Sequence, residues 1–167
     1  PEYGIVGCTQ SHLEILKLAK KRGYKKILIF EDDFIFIVSK YKFEEQIDLL
    51  FNYKDSSGNT SNFDVCMLAY NTAKSKECIE LPFLRKSILS GTTSGYIVSE
   101  KMYDVLIELY TWTLPFLQNT KKDYIYALDV ITQILQPITK WYYFNERIGI
   151  QRESYSNITN SLVKYNV

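Results

Sequence analysis

The sequence has little of what marks disulfide-stapled, membrane-spanning or nucleic-acid-binding proteins. Its 167 residues include three cysteines, an odd number, with no C-x-x-C pair and no Cys/His spacing typical of a metal site. No apolar run approaches the roughly 20 residues of a membrane span, and no phosphate loop of the G-x-x-x-x-G-K type occurs. The net charge of +1 shows no excess of positive charge of the kind that binds a polyanion. We therefore expect neither a nucleic-acid partner nor a transmembrane segment.

The three cysteines indicate the redox environment. The number and spacing of Cys8, Cys66 and Cys78 do not indicate a disulfide, and the first two lie in segments expected to be buried. Free thiols are typical of a reducing compartment. The sequence therefore predicts a cytoplasmic location, with attachment to a virion or to the periphery of a membrane as further alternatives. No signal-peptide pattern opens the sequence at Pro1.

Apolar runs and helical patterns alternate along the chain, which predicts an α/β fold in a single domain covering residues 1–167. The predicted strands are 25–31, 34–38, 63–70, 94–98 and 141–144. The predicted helices after the first one are 43–51, 99–110 and 126–135. Residues 72–82 have no clear period and are expected to form a surface loop, while Pro115 is expected to break a helix. Residues 151–167 are expected to form a polar tail.

The first helix has two candidate starting points. Residues 7–10 have the character of a loop, Ser11 and Glu14 form a capping-box pattern, and Thr9 is a rival N-cap. Basic residues and Gly23 suit the end of this helix. The sequence therefore predicts that the helix begins within this loop and ends at Gly23.

Three consecutive acids follow directly after the first predicted strand. The apolar residues 27–30 end abruptly at Glu31, Asp32 and Asp33. A short apolar run of this kind is typical of a buried strand in a parallel sheet, where ligands bind beyond the carboxyl ends of the strands. The acids repel one another, and a bound cation is the simplest compensation. A solvated turn is the alternative. Alternation along the strand would place Glu31 and Asp33 on one side and Asp32 on the other.

Several motifs in a fixed order make the chain similar to the family 25 glycosyltransferases. This family includes bacterial lipopolysaccharide and lipooligosaccharide sugar transferases and the collagen β-galactosyltransferases of animals and giant viruses. The most specific blocks are Gly-Cys-Thr-Gln-Ser-His at 7–12 and Leu-Ile-Phe-Glu-Asp-Asp at 28–33. Weaker blocks are Phe-Asp-Val at 63–65, Thr-Ser-Gly-Tyr-Ile-Val-Ser at 93–99, Asp129, Ile-Gln-Arg at 150–152 and Ser-Asn-Ile at 156–158. In the last block Asn157 replaces the usual Asp of the family.

The resemblance implies a GT-A-like, Rossmann-related mixed sheet flanked by helices. Members of the family usually carry a further N-terminal strand and helix with an Ile-Asn-Leu…Arg pattern. In GT-A folds that unit binds the nucleotide base and ribose. No counterpart precedes the Gly-Cys block in this sequence. We therefore expect the chain to lack the first nucleotide-binding unit of the fold.

The resemblance also implies a metal site, donor-binding residues and a catalytic group. Asp33 is expected to bind the metal directly, with Glu31 as a second ligand or a ribose contact. Mn²⁺ or Mg²⁺ suits such oxygen ligands. Asp129 is expected to be the general base that activates the acceptor. The donor-binding residues expected from the matched motifs are Glu31, Asp32, His12, Ser94 and Arg152.

Three of these residues have structural alternatives. His12 is either a third metal ligand or phosphate contact, or a packing residue at the start of the first helix, where backbone N–H groups face an anion. Asp129 is either a site residue or an acid that favours the positive end of a helix dipole. Arg152 either clamps a phosphate or lies on the surface.

The function expected from the resemblance is the metal-dependent transfer of a hexose from a UDP-sugar to a hydroxyl of a glycan or protein, with inversion at the sugar. The main alternative is a catalytically weak binding module derived from such a transferase, because the nucleotide-binding unit is expected to be absent. A metal-dependent phosphotransfer domain that uses residues 31–33 is a weaker alternative.

Overall fold

A central mixed sheet with helices on both faces forms the core of the computed structural model, which describes residues 2–54, 57–58, 60–120, 122–152, 154–156 and 161–163. The strands are β1 (Lys26–Phe30), β2 (Phe34–Phe36), β3 (Val65–Met67), β4 (Asn71–Glu77), β5 (Leu84–Gly91), β6 (Gly95–Ser99), β7 (Trp141–Phe144), β8 (Gly149–Gln151), β9 (Ser154–Ser156) and β10 (Ser161–Val163). The helices are α1 (Glu2–Lys21), α2 (Lys40–Asn52), α3 (Tyr103–Thr120), α4 (Asp123–Tyr126) and α5 (Leu128–Ile131), with 3₁₀ turns at Glu100–Met102 and Thr132–Ile134.

The six-stranded sheet has the order β1-β6-β3-β7-β5-β4. Strands β3 and β7 pair in parallel, whereas the other neighbours in this sheet pair antiparallel. The α/β class and the helix-flanked mixed sheet are therefore confirmed. The expected parallel surroundings of the first strand are wrong: β1 is an edge strand, antiparallel to β6, and its Leu28 and Phe30 are 42% and 40% exposed.

Two apolar layers cover the two faces of the sheet. On one face α1, α3 and α5 pack through residues that include Leu16, Leu106 and Ile131 onto alternate positions of β3, β6 and β7. On the other face α2 packs through Leu50, together with Phe144 and Ile148. Side chains of a strand alternate between faces. As a result, Cys66 and Ile97 lie in the second layer while their strand neighbours lie in the first.

The first helix begins much earlier than its capping pattern predicts. Residues 7–10 lie inside α1, and the Ser11 hydroxyl donates to the Gly7 carbonyl oxygen at 2.9 Å, as mid-helix serines do. Neither Thr9 nor Ser11 is the N-cap, because the apolar face of α1 packs on α3 along its length and tertiary burial overrides the local signal. The end near Gly23 is confirmed, with a φ of +68° at that residue.

Other segments also differ from the expectations. Residues 72–82 are not a loop: β4 and β5 form a hairpin whose edge strand, β4, is polar and so carries no apolar alternation. Pro115 lies within α3 and does not break it. Proline has no N–H to bond the carbonyl of Thr111, but Thr111 is exposed, so that carbonyl can bond to water instead.

The segments near the end of the chain also differ from the expectations. The helix expected at 126–135 is divided into α4, α5 and a 3₁₀ turn. Within the expected tail, Gln151 completes β8, and β9 pairs with β10. Asn157 and Ile158 lie outside the described residues.

A buried glutamine fixes the segment that carries Asp129 against the sheet. The side chain of Gln136, which is 1% exposed, donates to the carbonyl of Ser90 and accepts from the N–H of Ser90 and the hydroxyl of Ser87, each at 2.8 Å. Lys86 donates to the carbonyls of Gln136 and Thr139 from the same strand, β5. These bonds hold the 3₁₀ turn, and α5 before it, next to the end of β5.

A glycine pair accommodates the aromatic ring that follows the acidic residues. The ring of Phe34 lies between Gly95 and Gly149, where added Cβ atoms would come within 2.3 Å and 2.1 Å of ring carbons. The Cβ at Gly149 would also lie 2.8 Å from the carbonyl oxygen of Ile35. These glycines therefore set how closely β2 and β8 approach the main sheet. Within the part of the chain that the structure describes, no helix is long and apolar enough to cross a bilayer.

The Gly149→Ala variant tests this packing. A ring can move but a strand carbonyl cannot, so we expect a loss of about 1–3 kcal/mol in the free energy of unfolding, measured by urea denaturation. Gly7→Ala is the matched control, because Gly7 is exposed in α1 with open space where a Cβ would lie. That variant should gain about 0.5–1 kcal/mol. Equal stability of Gly149→Ala and wild type would contradict the close approach of β2 and β8.

Candidate functional site

A cavity of about 280 Å³ lies where α1, the loop after β1, the β5–β6 loop, α4–α5 and β8 meet. Two acids predicted for the site, Glu31 and Asp129, line it together with Cys8. A larger cavity of about 730 Å³ lies at the other end of β1, beside Lys25 and Lys26, and none of the predicted site residues lines it. The chemistry-bearing side chains therefore favour the smaller cavity as the candidate site.

Glu31 is the most heavily bonded acid of the site. Its Oε1 accepts a hydrogen bond from the Thr93 hydroxyl at 2.8 Å and lies 3.3 Å from Nε2 of His12 and 3.9 Å from Sγ of Cys8. Its backbone N–H donates to the Ser94 carbonyl at 2.8 Å. Burial acts to raise the pKa of Glu31, but the hydrogen bonds from His12 and Thr93 outweigh burial and hold that pKa below its usual value. Glu31 is therefore ionised at neutral pH.

His12 is a buried polar residue in the middle of α1, not a residue at a helix start. It is 3% exposed, and its Nδ1 lies 2.8 Å from the hydroxyl of Tyr96. A hydrogen bond joins the hydroxyls of Tyr96 and Tyr110, both deeply buried. A continuous polar chain therefore runs from Tyr110 through Tyr96 and His12 to Glu31. Because α1 begins at Glu2, the expected position of His12 at a helix start, with its backbone N–H facing an anion, is wrong. The expected packing of its ring is confirmed, since the ring is buried and stacked on that of Tyr96.

Asp33 has one satisfied carboxylate oxygen and one without a partner. Its Oδ2 accepts from Nε2 of Gln151 at 2.8 Å, whereas Oδ1 is buried and has no hydrogen-bond partner among the residues that the structure describes. Burial raises the pKa of Asp33, and the charges of Glu31 and Asp32 raise it further. An unpartnered buried carboxylate oxygen beside other acids is the kind of atom that a hard cation satisfies. Asp32 is exposed.

Asp129 lies in the first turn of α5 and faces the same cavity. Burial raises the pKa of its carboxyl, and the charge of Glu31 adds to this, while backbone N–H groups of Thr92 and Val130 partly offset the rise. Thr92 has a φ of +67°, an unusual conformation for a β-branched residue. The backbone strain thus occurs at the loop that places an N–H group against Asp129.

The β5–β6 loop connects the acids through Thr92 and Thr93, and the sequence predicted neither of these two contacts. Thr93 bonds Glu31, while the Thr92 hydroxyl donates to Oε1 of Gln151 at 3.0 Å, and Gln151 in turn holds Asp33. The signals in the sequence were the two adjacent threonines before a predicted strand and the places of Thr93 and Gln151 in matched motifs. Ser94 is fully buried and reaches the site through its carbonyl. The exposed Arg152 donates its backbone N–H to the Asp33 carbonyl at 2.8 Å. Donor-binding roles for these residues stay predictions.

Burial and the negative charges around the cavity both affect the pKa of the Cys8 thiol. Burial raises the pKa of its thiol to about 12, and the charges of Glu31, Asp129 and Asp33 contribute to the rise. Cys8, Cys66 and Cys78 are all free thiols. The site therefore combines three carboxylates, a protonated thiol and a buried imidazole, which is an arrangement suited to a bound cation.

The Asp129→Asn variant tests the cost of this crowding. Because the pKa of Asp129 is raised in the folded state, its ionisation destabilises the fold as pH rises through that raised pKa. An asparagine oxygen can keep the backbone bonds without the charge. We expect Asp129→Asn to be more stable than wild type at neutral pH, by on the order of 1 kcal/mol, the lower end of the usual cost of an imperfectly satisfied buried polar group.

Urea denaturation at several pH values checks this prediction. The difference between variant and wild type should shrink as pH falls through the raised pKa and should be smallest below the ordinary carboxyl value of 3.8, because the wild-type carboxyl is then protonated in both states. A variant that is less stable than wild type by the same amount at every pH would show that the hydrogen bonds of Asp129, and not its charge, dominate.

Comparison with known proteins gives the family of the chain. The model described as glycosyltransferase family 25 (LPS biosynthesis protein) matches residues 3–125. The matched region includes Cys8, His12 and the three consecutive acids, and it ends before Asp129, whose place in the site rests on the structure. A search of curated proteins finds no significant match. Since the matched region covers well over half of the sequence, the chain belongs to glycosyltransferase family 25.

Proposed function

We propose that the chain transfers a hexose from a UDP-sugar to a hydroxyl of a glycan or protein, with the help of a divalent metal ion. Family membership supports glycosyl transfer. The observation that carries the finer proposal is the buried Oδ1 of Asp33, which has no hydrogen-bond partner among the described residues and is affected by the charges of Glu31 and Asp32. Carboxylates held together in one half-buried place favour a bound cation and, with it, a diphosphate.

The residues fit a hard metal ion of the Mn²⁺ or Mg²⁺ type. Asp33 would hold it through Oδ1, because Oδ2 is already bonded by Gln151, and Glu31 would supply a second carboxylate. When bound, the metal neutralises charge on the departing nucleoside diphosphate. Thr93 and His12 fix the orientation of Glu31. Asp32, exposed at the same turn, is our candidate for a contact to the donor ribose, and Arg152 for one to phosphate.

Asp129 is our candidate for the general base. Its backbone hydrogen bonds fix the carboxylate, and its raised pKa makes it a better proton acceptor than an ordinary aspartate. In an inverting transfer the acceptor oxygen forms a bond to the anomeric carbon and gives its proton to Asp129. The bond from that carbon to the phosphate oxygen breaks, and UDP leaves with the electron pair.

The Asp33→Asn variant tests the metal position. We expect wild type to be stabilised against heat by Mn²⁺, since a ligand that binds only the folded state raises the melting temperature. In Asp33→Asn the affinity for Mn²⁺ should fall at least about tenfold, and hexose release from a UDP-hexose should fall with it. Asp48→Asn is the control, because Asp48 is an exposed acid of α2 on the other face of the sheet. It should behave as wild type.

Three outcomes separate the possible functions. Equal melting shifts with Mn²⁺ in wild type and Asp33→Asn would make the metal assignment wrong. Transfer that is unaffected by removing divalent metals would exclude metal dependence. Binding of UDP with Mn²⁺ but no release of hexose toward any acceptor hydroxyl would favour the binding module. Titration with GDP beside UDP tests whether this chain alone discriminates between nucleotide bases.

A further inference from the structure

Three side chains of different chemistry converge beside the carboxylate site. Cys8 and His12 are four residues apart in α1, so they lie on one face of the helix, one turn apart. Glu31 reaches them from the end of β1. One ligand atom from each of the three lies within 4.8 Å of the others, with 3.3 Å between His12 Nε2 and Glu31 Oε1 and 3.9 Å between Cys8 Sγ and the same oxygen.

We propose that Cys8, His12 and Glu31 form a binding site for a thiophilic divalent cation of the Zn²⁺ type. Zinc sites that keep an open position use three protein ligands, and the usual bond lengths imply tetrahedral ligand separations of roughly 3.3–3.7 Å. The separation of 3.3 Å between the nitrogen and the oxygen already fits, and the sulfur lies only a few tenths of an ångström too far from the oxygen. The sulfur lies within 4.8 Å of the nitrogen, so the thiol has to move toward His12 by at most about 1 Å when the cation binds. This inference goes beyond the proposed sugar transfer and does not depend on it.

The surrounding hydrogen bonds already orient two of the three ligands. In the metal-free chain Nε2 of His12 donates a hydrogen bond to Glu31, while Nδ1 lies 2.8 Å from the Tyr96 hydroxyl. When a cation takes the place of that hydrogen bond at Nε2, the ring proton moves to Nδ1, where the oxygen of the Tyr96 hydroxyl can accept it. The bond between Tyr96 and Tyr110 fixes that hydroxyl in turn. Thr93 donates to Glu31 at 2.8 Å. Such outer contacts are what hold histidine and carboxylate ligands in metal sites.

The charge and the softness of the ligands favour one class of cation. Asp33 and Asp129 place further negative charge near the thiol. A thiolate and an imidazole prefer zinc-like ions, whereas the oxygens of Asp33 suit Mn²⁺ or Mg²⁺. On binding, the S–H bond of Cys8 breaks, its proton passes to solvent, and a sulfur–metal bond forms. Cys8 and Glu31 both line the cavity of about 280 Å³, so a fourth coordination position would face it.

Titration of the metal-free chain with Co²⁺, a coloured substitute for Zn²⁺, tests the proposal. Wild type should develop a near-ultraviolet thiolate-to-cobalt charge-transfer band and visible bands of low coordination number, and Zn²⁺ should bleach both. Cys8→Ser should lose the charge-transfer band. His12→Gln should bind Co²⁺ at least about tenfold more weakly. Cys78→Ser is the matched control: it removes another half-buried free thiol and should keep the band.

The two metal proposals can fail separately. Asp33→Asn should keep the cobalt band even though it loses the response to Mn²⁺. Circular dichroism checks that each variant is folded. If Cys8→Ser does not fold, the proton released when Zn²⁺ binds to wild type decides, measured calorimetrically in buffers of different ionisation enthalpy. Absence of a charge-transfer band in folded wild type, its persistence in Cys8→Ser, or zinc binding without proton release would overturn the site.

Discussion

The carboxylate of Glu31 is the interaction on which the site depends. A half-buried acid that stays ionised needs donors around it, and here they come from two separate parts of the chain: His12 and Cys8 from α1, and Thr93 from the β5–β6 loop. The backbone N–H of Glu31 is bonded by the same loop through Ser94. The positions of α1, β1 and the β5–β6 loop are thus tied together at one residue. Burial raises the pKa values of Asp33 and Asp129, and the charge of Glu31 raises both further.

Several groups in the site lower the stability of the folded chain, and apolar packing elsewhere in the fold compensates for them. Asp33 and Asp129 both have raised pKa values, and Thr92 has a left-handed backbone conformation. One carboxylate oxygen of Asp33 also has no hydrogen-bond partner within the described part of the chain. Elsewhere the layers on both faces of the sheet are packed with fully buried apolar residues. This distribution is usual where a structure holds groups ready for a ligand, because the ligand supplies what the protein leaves unsatisfied.

The features that the sequence predicted correctly depend on residues close to one another in the chain or on matched motifs. The apolar run before residues 31–33 predicted a strand that ends in acids, and the resemblance placed Glu31 and Asp129 in one site, where the structure also brings them together. The parallel surroundings were wrong because strand pairing is decided by contacts distant in sequence. Thr93 lies 62 residues after Glu31, and Gln151 lies 118 residues after Asp33, so no local pattern could connect them. The early start of α1 had a larger consequence: with residues 7–10 expected as a loop, the one-turn relation of Cys8 and His12 was hidden.

The two edges of the main sheet differ in how they meet solvent. Strand β4 closes one edge with polar and charged residues, including Lys74 and Lys76, which discourage another chain from adding a strand. Strand β1 forms the other edge with Leu28 and Phe30 partly exposed, and Lys26 at its beginning is its one lysine. The strand that leads to Glu31 at the cavity is therefore also the edge of the main sheet that is more open to β-augmentation. A substitution in this short strand therefore acts both on the solubility of the protein, through the exposed edge, and on the position of the acid that follows the strand.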